Sequence, residues 1–455
     1  MATASAERSD RSVRRLATEI LVKVDVNKAY ADVLLDRALK SAVLDERDGA
    51  LLTELTYGTL RWRGNIDARL SRHVRRPLTR CTPLTRNLLR VSAYQLLFLH
   101  KVPDYAAVNE AVELAKIYGG RKAAGFINGV LRNLLRAKER AFTERDESIP
   151  ALAAAYSHPE WLVTKWTREF GAEPAKELMR ANNEKAPLVL RVNSLKSARD
   201  RLLQSFLSAG IKAKPARWSP TAIEVARGAI VEKLPGHSEG LFQVQGEASQ
   251  LIAYLLSPEP GERILDACAA PGGKSTQIAE MMADRGELVA VDVSARGIDR
   301  LLANAARLGL QSIRAVRADI RQEIPEALRG PYDRILVDAP CSGLGTLRGH
   351  PEIKWQRDET DIQRLSRLQS QILRRVVAYL RPGGVLVYST CTLARAENED
   401  IVTALLAEHA SFELEEAARY LPQEARSMTR GRYFLALPHV HNTDGFFAAR
   451  LRKVG

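Results

Sequence analysis

Cys341 and Cys391 each follow a short apolar run, Ile335-Leu336-Val337-Asp338-Ala339-Pro340 in one case and Val385-Leu386-Val387-Tyr388-Ser389-Thr390 in the other. Such runs are strands of a buried sheet, so two thiols leave the tips of neighbouring strands. Either cysteine alone reads most simply as a small buried hydrophobe. Together they suit one reaction. A thiolate that adds to C6 of a cytosine turns C5 into an enamine carbon able to attack an activated methyl group, and a base must then take the C5 proton so that the thiol can leave. Methylation of an exocyclic amino group needs no thiol and typically uses an Asp/Asn-Pro-Pro-aromatic turn after the corresponding strand. Here that turn is Asp338-Ala339-Pro340-Cys341, which favours methylation at carbon.

A second group of residues has the chemistry of a nucleoside site. An apolar strand ends at Asp266 and runs into Ala267-Cys268-Ala269-Ala270-Pro271-Gly272-Gly273-Lys274 before a helical stretch. Small residues and paired glycines at such a turn let backbone amides and a helix N-terminus approach a cofactor closely. A phosphate-binding P-loop would need glycine at the position of Cys268, and the GxGxxG pattern is also missing. Asp292 closes the next strand, where an acid can take both ribose hydroxyls of an adenosine. Asp319 closes the third, where an adenine amino group can donate to it. One such acid is ordinarily a solvated strand end. Three on successive strands, with a glycine turn on the first, point to the adenosine half of S-adenosylmethionine.

The elements that must carry these residues are legible around them. After Pro258-Glu259-Pro260-Gly261, strand-like runs at Arg263-Leu265, Glu287-Val291, Ile313-Val316, Arg334-Val337 and Val385-Tyr388 alternate with helical stretches. That is the pattern of a parallel sheet wrapped by helices, which places ligands at the carboxyl ends of its strands. The first ~140 residues read instead as helices, with apolar positions at three and four in Val13-Leu16-Ile20-Leu21-Val24 and Ile127-Val130-Leu131-Leu134. Between them, a helical stretch near 161–182 precedes strand candidates at 188–192, 222–225 and 241–244 and a helix over 198–209, a small mixed module. The 455 residues exceed one ordinary core. Three domains are predicted: 1–145, all-α; 150–245, small α/β; and 246–455, a Rossmann-like α/β fold.

Composition narrows the partners. With 68 Lys and Arg against 54 Asp and Glu, the formal charge is +14, which favours a polyanion, because each cation that neutralises a phosphate releases counterions. Arg61, Arg63, Arg69, Arg72, Arg75, Arg76 and Arg80 are interleaved with the helical stripes; they are either solvated helix faces or an RNA-facing surface. The four cysteines show neither CxxC nor Cys/His metal spacing, so no disulfide framework and no metal site are expected. Without a secretory leader or an apolar run of ~20 residues, a cytoplasmic, membrane-free monomer is expected.

The motifs resemble those of the Sun/RsmB branch of the Nol/Nop/Sun RNA cytosine-5 methyltransferases. DACAAPGGKS from Asp266, VDVSARGIDRL from Val291, VDAPCSGLGTLRGHPEIKW from Val337, STCT from Ser389, AENED from Ala396 and HNTDGFF from His441 carry the likeness, with LTYGTLR from Leu55 and FINGVLRNLLR from Phe126 in the N-terminal half. The resemblance implies a NusB-like RNA-binding helical domain, a small RNA-binding or linker module and a class I methyltransferase domain. It implies S-adenosylmethionine as cofactor, held by Cys268, Ala269, Ala270, Pro271, Gly272, Gly273, Lys274, Asp292, Arg296, Asp319 and Asp338. Strand position alone leaves the nucleophile open, since in DNA cytosine methyltransferases it follows the fourth strand, at Cys341. In the RNA family the cysteine of the fifth-strand TC motif attacks, which implies Cys391, with Cys341 assisting product release as the base or its relay. Asp338 would then bond the cytosine edge and Lys274 orient the reacting groups. Arg348, His350, Lys354 and Trp355 would line the path to the RNA, unless they form a packed structural loop. The implied substrate is one cytosine of small-subunit (16S) ribosomal RNA. A transfer RNA acceptor and a non-catalytic assembly factor with a vestigial methyltransferase fold are the rival readings; intact acids, Lys274 and both cysteines count against the latter.

Overall fold

The computed structural model describes residues 12–42, 44–137, 146–226, 228–322 and 325–454. The chain divides into two compact units: Met1–Glu184 with Leu347–Gln356, and Lys185–Thr346 with Arg357–Gly455. A further basic stretch, from Arg121 to Arg140, is also interleaved with a helical stripe in the sequence and lies only partly within the described residues.

The first unit is helical. Its elements are α1 (Val13–Asn27), α2 (Ala31–Ser41), α3 (Glu46–Arg61), α4 (Arg63–Ser71), α5 (Pro83–Phe98), α6 (Asp104–Arg136), α7 (Ile149–Tyr156), α8 (Glu160–Phe170) and α9 (Ala172–Asn182). Side chains fix several starts: Asp45 accepts the Asp48 amide at 2.7 Å, and Thr82 accepts the Thr85 amide at 3.2 Å ahead of Pro83. The helical periodicity read from sequence becomes a shared core of Ala17, Leu21, Leu52, Leu55, Ile66, Leu89, Val91 and Leu131, each at most 1% exposed. The stretch expected as one helix over 161–182 is two, separated at Gly171, and α7 to α9 cluster with the N-terminal helices rather than with the sheet that follows.

The arginine stripe divides in this unit. Arg61 and Arg69 are buried, and Arg63 pairs with Asp25 at 2.8 Å. Arg72, Arg75, Arg76 and Arg80 are exposed. Arg75, Arg76 and Arg80 edge a cleft of about 460 Å³ that Phe126 and Asn133 also line.

In the second unit a four-stranded antiparallel sheet comes first, with β1 (Leu188–Val192), α10 (Arg199–Ser208), β2 (Ala213–Pro215), β3 (Ala222–Val225) and β4 (Phe242–Val244) in the order β2-β3-β1-β4. Helix α11 (Glu247–Leu256) leads to β5 (Arg263–Asp266), α12 (Gly273–Met281), β6 (Glu287–Asp292), α13 (Ala295–Leu308), β7 (Ile313–Arg317), β8 (Tyr332–Asp338), α14 (Glu359–Val376), β9 (Leu380–Thr390) and α15 (Glu399–Glu408). Then come β10 (Phe412–Leu414), β11 (Thr429–Arg430), β12 (Tyr433–Ala436) and β13 (Phe446–Lys453). The large sheet runs β11-β12-β13-β9-β8-β5-β6-β7, parallel from β9 to β7, with β13 antiparallel to β9 and β10 paired to β13. All five parallel strands coincide with runs expected from sequence. The antiparallel strands were not foreseen: β13 lies between β9 and β12, buried through six of its eight residues, so Phe446 to Leu451 lack the alternation of a half-exposed strand. Among the described residues no helix is long and apolar enough to cross a membrane.

Candidate active site at the carboxyl ends of the parallel strands

The order β9-β8-β5-β6-β7 puts the chain reversal between β8 and β5, where β5 has β6 on one side and β8 on the other. Crevices form at the carboxyl ends of strands at such a point. There β5 ends on Asp266, β6 on Asp292, β8 on Asp338 and β9 on Thr390, one residue before Cys391.

The two thiols meet. Cys341 Sγ and Cys391 Sγ lie 3.2 Å apart, both partly exposed. Hydrogen bonding to Cys391, burial and the negative charge of Glu397 push the Cys341 thiol well up. That direction holds Cys341 in its thiol form, and either sulfur can donate to the other across the contact.

The loops that carry them are laced together. The Ser342 amide donates to Glu397 Oε1 at 2.9 Å, the Ser342 hydroxyl also bonds Glu397, and Gln369 bridges Glu397 at 3.0 Å and the Pro340 carbonyl at 3.0 Å. Asn398 bonds the Thr392 carbonyl at 3.0 Å and accepts from Thr390. Gly345 packs tightly here: its amide donates to the Cys391 carbonyl at 2.9 Å, and a Cβ would stand 2.1 Å from the Gly445 carbonyl oxygen. Sequence reasoning named none of these positioning residues, although Glu397 and Asn398 fall inside the AENED motif.

Asp338 stands beside the thiols in the sheet. Its Oδ2 accepts from Lys274 Nζ at 2.7 Å and its Oδ1 from Ser389 Oγ at 2.8 Å, the residue directly across from it in register. Lys274 also sits 4.8 Å from the centre of the Phe446 ring, a second restraint on its ammonium.

The turn after β5 has a support that sequence did not reveal. Gly272 adopts φ +100°, where a Cβ would lie 2.7 Å from Leu301 Cγ, so only glycine fits. Arg191, 1% exposed on β1, donates to the Gly273 carbonyl at 2.7 Å, Thr276 at 3.1 Å and Glu280 at 2.7 Å. Nothing in a lone arginine within a short strand marks it for this task; the contact spans more than 80 residues of chain.

Of the cofactor residues expected from sequence, Asp292, Asp319 and Asp338 all act electrostatically on the Cys268 thiol. Asp292 accepts the Ala270 amide at 3.0 Å and the Ser294 amide at 2.8 Å, and Arg321 clamps Asp319 at 2.6 and 3.0 Å, holding that carboxyl below its usual range. Arg296 is exposed in the first turn of α13. Cys268 lies among them: burial and the charges of Asp266, Asp292, Asp338 and Asp319 drive its thiol well up. The carboxylates of Asp292, Asp319 and Asp338 make this surround negative, and Asp266 Oδ1 is buried without a hydrogen bond of normal geometry. That donor set fits S-adenosylmethionine, whose sulfonium and ammonium are cationic and whose ribose needs an acid to accept its hydroxyls.

Burial, with help from Asp338, raises the Asp266 carboxyl to about 7, against the opposing effects of Ser275, Lys274 and the Cys268 amide. Between pH ~4 and ~7 the native protein thus holds a proton that the unfolded chain has released, so this group's contribution to stability falls as pH rises and is flat above ~7. Asp266→Asn removes that dependence. Relative to wild type, the variant should gain stability, by up to about 4 kcal/mol, between pH 4 and 8 in denaturant titrations; parallel curves would contradict it.

Of the four residues expected to line an RNA path, Arg348 and Lys354 are buried within the first unit, and His350 and Trp355 are part-exposed. Lys354 is fully buried in the first unit, its three donors spent on the Arg61 carbonyl at 2.9 Å, the Ser157 carbonyl at 2.9 Å and Asn183 at 3.0 Å. Arg348 is 2% exposed, its carbonyl accepting from Arg61, and the Trp355 indole donates to the Leu60 carbonyl at 2.9 Å. With its three donors spent inside this unit, Lys354 has none to offer a phosphate, and Arg348 is buried with it, while His350 keeps 38% side-chain exposure.

Three family models match the chain: 16S rRNA methyltransferase RsmB/F over residues 253–452, the NusB family over 11–136, and the RsmF/B-like ferredoxin-like domain over 158–232. The chain is 39% identical over 445 residues to the probable ribosomal RNA small subunit methyltransferase B of Bacillus subtilis (strain 168), covering 98% of this chain and 99% of that one. It is similar to the crystal structure of PH0851, with a TM-score of 0.84 and 25% identity over 97% of this chain and 99% of that chain. It also resembles NSun6 from Pyrococcus horikoshii with SFG, with a TM-score of 0.59 and 26% identity over 65% of this chain and 98% of that chain.

Proposed function

Because the chain belongs to the RsmB/F family of 16S ribosomal RNA methyltransferases, we propose that it methylates C5 of one cytosine in that RNA, with Cys391 adding covalently to C6. The domains are those of the family: a NusB-like helical part, a ferredoxin-like module and a catalytic sheet domain. The family's methyl donor is S-adenosylmethionine, which supplies an electrophilic methyl group when bound. Asp292 would accept from its ribose hydroxyls and Asp319 from its adenine amino group, with the turn from Cys268 to Lys274 and Arg296 completing the set that would hold it. NSun6, solved with the S-adenosylmethionine analogue SFG, supports this choice of methyl donor by analogy of fold.

The sulfur pair carries the chemical part of the reading. Cys391 forms the C6–S bond, and the ring electrons displaced from the C5–C6 double bond make C5 nucleophilic. Asp338, fixed by Lys274 and Ser389, accepts from the amino group on the polar edge of the ring and orients it, while the Lys274 ammonium beside it offsets the negative charge that builds there. Once C5 carries the methyl group it must lose its proton; those electrons re-form the C5–C6 bond as the C6–S bond breaks and Cys391 leaves as thiolate. Cys341, 3.2 Å from the leaving sulfur, loses its own proton to water once Cys391 is bonded to carbon, and as thiolate takes the C5 proton. A test is to methylate 16S RNA with labelled donor, digest it and separate the nucleosides. 5-Methylcytidine is the expected product, and label confined to N4-methylcytidine or to ribose would refute the proposal.

The cleft edged by Arg75, Arg76 and Arg80 supports a role for the helical unit in holding RNA, since exposed guanidinium groups beside an aromatic ring suit phosphate and base together. Arg75→Ala with Arg76→Ala should weaken RNA binding and lower the slope of log affinity against log salt by about 1 to 2. Filter binding at several salt concentrations measures this, with cofactor affinity unchanged.

A further inference from the structure

A group of side chains in the first unit has no part in the chemistry above. Glu352 is 0% exposed; its Oε1 accepts the Ala31 amide at 3.1 Å, at the start of α2, while its Oε2 is buried with no hydrogen-bond partner. His350 Nδ1 is also buried without a partner and lies 3.9 Å from Glu352 Oε1. Asp32, in the first turn of α2, completes the group: one ligand atom from each of Asp32, His350 and Glu352 falls within 4.8 Å of the others.

A buried carboxylate oxygen without a donor costs on the order of 1–3 kcal/mol, more when charged. Here two carboxyl groups and one imidazole share the pocket, and burial together with Asp32 pushes the Glu352 carboxyl up while His350 opposes it. A positive charge set among the three would satisfy every open atom at once.

We propose that Asp32, His350 and Glu352 bind one divalent transition-metal ion, of the zinc or manganese class, that fastens the Leu347–Gln356 segment to the first turn of α2. Imidazole nitrogen with carboxylate oxygen is the donor set of zinc and manganese rather than of calcium or magnesium. At metal–ligand distances of about 2.0–2.2 Å, ligand atoms up to about 4 Å apart can share one ion, and the His350–Glu352 separation of 3.9 Å is already there. Three protein ligands leave a position for water, which the part-exposed His350 side can admit. The role is structural: an ion held by the native chain and not by the unfolded one stabilises in proportion to its occupancy. The sequence gives no spacing signal, because the histidine and glutamate lie more than 300 residues from the aspartate and only the fold of this unit unites them.

Untagged full-length protein carrying C341S and C391S, so that the thiol pair cannot take the probe, is dialysed against Zn²⁺ and then against metal-free buffer, and its zinc is counted by mass spectrometry. One equivalent should remain, and H350A and D32N should each lose it. Melting without zinc should be alike in all three proteins, with zinc raising the midpoint of the parent alone; D32N, at a part-exposed site, guards against a variant that merely fails to fold. No retained zinc in the parent, or equal zinc in the variants, would mean that the cluster is closed by protons and water and would overturn the site without touching the methyltransferase reading.

Discussion

Cys391→Ala is expected to abolish methyl transfer, by on the order of 10⁴-fold or more, while Cys341→Ala stalls after bond formation and leaves protein attached to RNA. The asymmetry follows from the pair itself. The sulfurs lie 3.2 Å apart, and the Cys341 thiol is pushed well up by its bond to Cys391, by burial and by Glu397, so Cys341 stands as a thiol beside the sulfur proposed to attack. Removing Cys391 removes the nucleophile, so neither product nor adduct forms. Removing Cys341 leaves a sulfur that can still attack C6 but deprives the later steps of the group beside the leaving thiolate. Denaturing gels with radiolabelled RNA separate the cases: a band shifted by the mass of the protein for Cys341→Ala, and none for Cys391→Ala. The reverse pattern would transfer the nucleophile to Cys341, as in the DNA enzymes.

Asp338→Asn should lower kcat by about 10²- to 10³-fold with little change in the affinity for cofactor. The carboxylate accepts from Lys274 at 2.7 Å and from Ser389 at 2.8 Å, and an amide of the same shape cannot accept from both while presenting the same charge to the substrate ring. The amide oxygen stays toward Lys274 while its NH2 turns to the Ser389 hydroxyl, so the charge is lost rather than the contacts. The ammonium, also held 4.8 Å from Phe446, then loses its ionic partner. Single-turnover rates with saturating donor, read alongside equilibrium binding of the donor, separate this from a cofactor defect. A fall in donor affinity with an unchanged chemical step would place Asp338 in the cofactor set alone.

The outcome for the 347–356 segment shows why sequence reasoning succeeded in one place and failed in another. Arg348, Lys354 and Trp355 are residue types that bind nucleic acid when exposed, and nothing local says which way they turn. In the structure Lys354 meets acceptors from Arg61, Ser157 and Asn183, contributions from three separate stretches of chain. The same blindness hid Arg191 behind the glycine turn and Glu397 behind the two cysteine loops. In each case the decisive partner is distant in sequence and carries no periodicity. The antiparallel β13, buried through most of its length, escaped because strand alternation marks only half-exposed strands.

What the sequence determined by itself was everything that depends on short-range order. The strand and helix periods, the acids closing successive strands, the Gly272-Gly273 turn and the two cysteines after β8 and β9 are all set within ten or twenty residues, so the parallel sheet and its ligand-bearing edge follow from hydrophobic patterning and turn chemistry. The tertiary structure alone decided which charges are spent inside the protein and which face outward. It joined the two sulfurs at 3.2 Å, buried Lys354, left Arg75 and Arg76 exposed, and gathered Asp32, His350 and Glu352. Those outcomes rest on the cost of burying an unpaired polar group, a cost that each side chain escapes only through partners that folding brings from elsewhere in the chain.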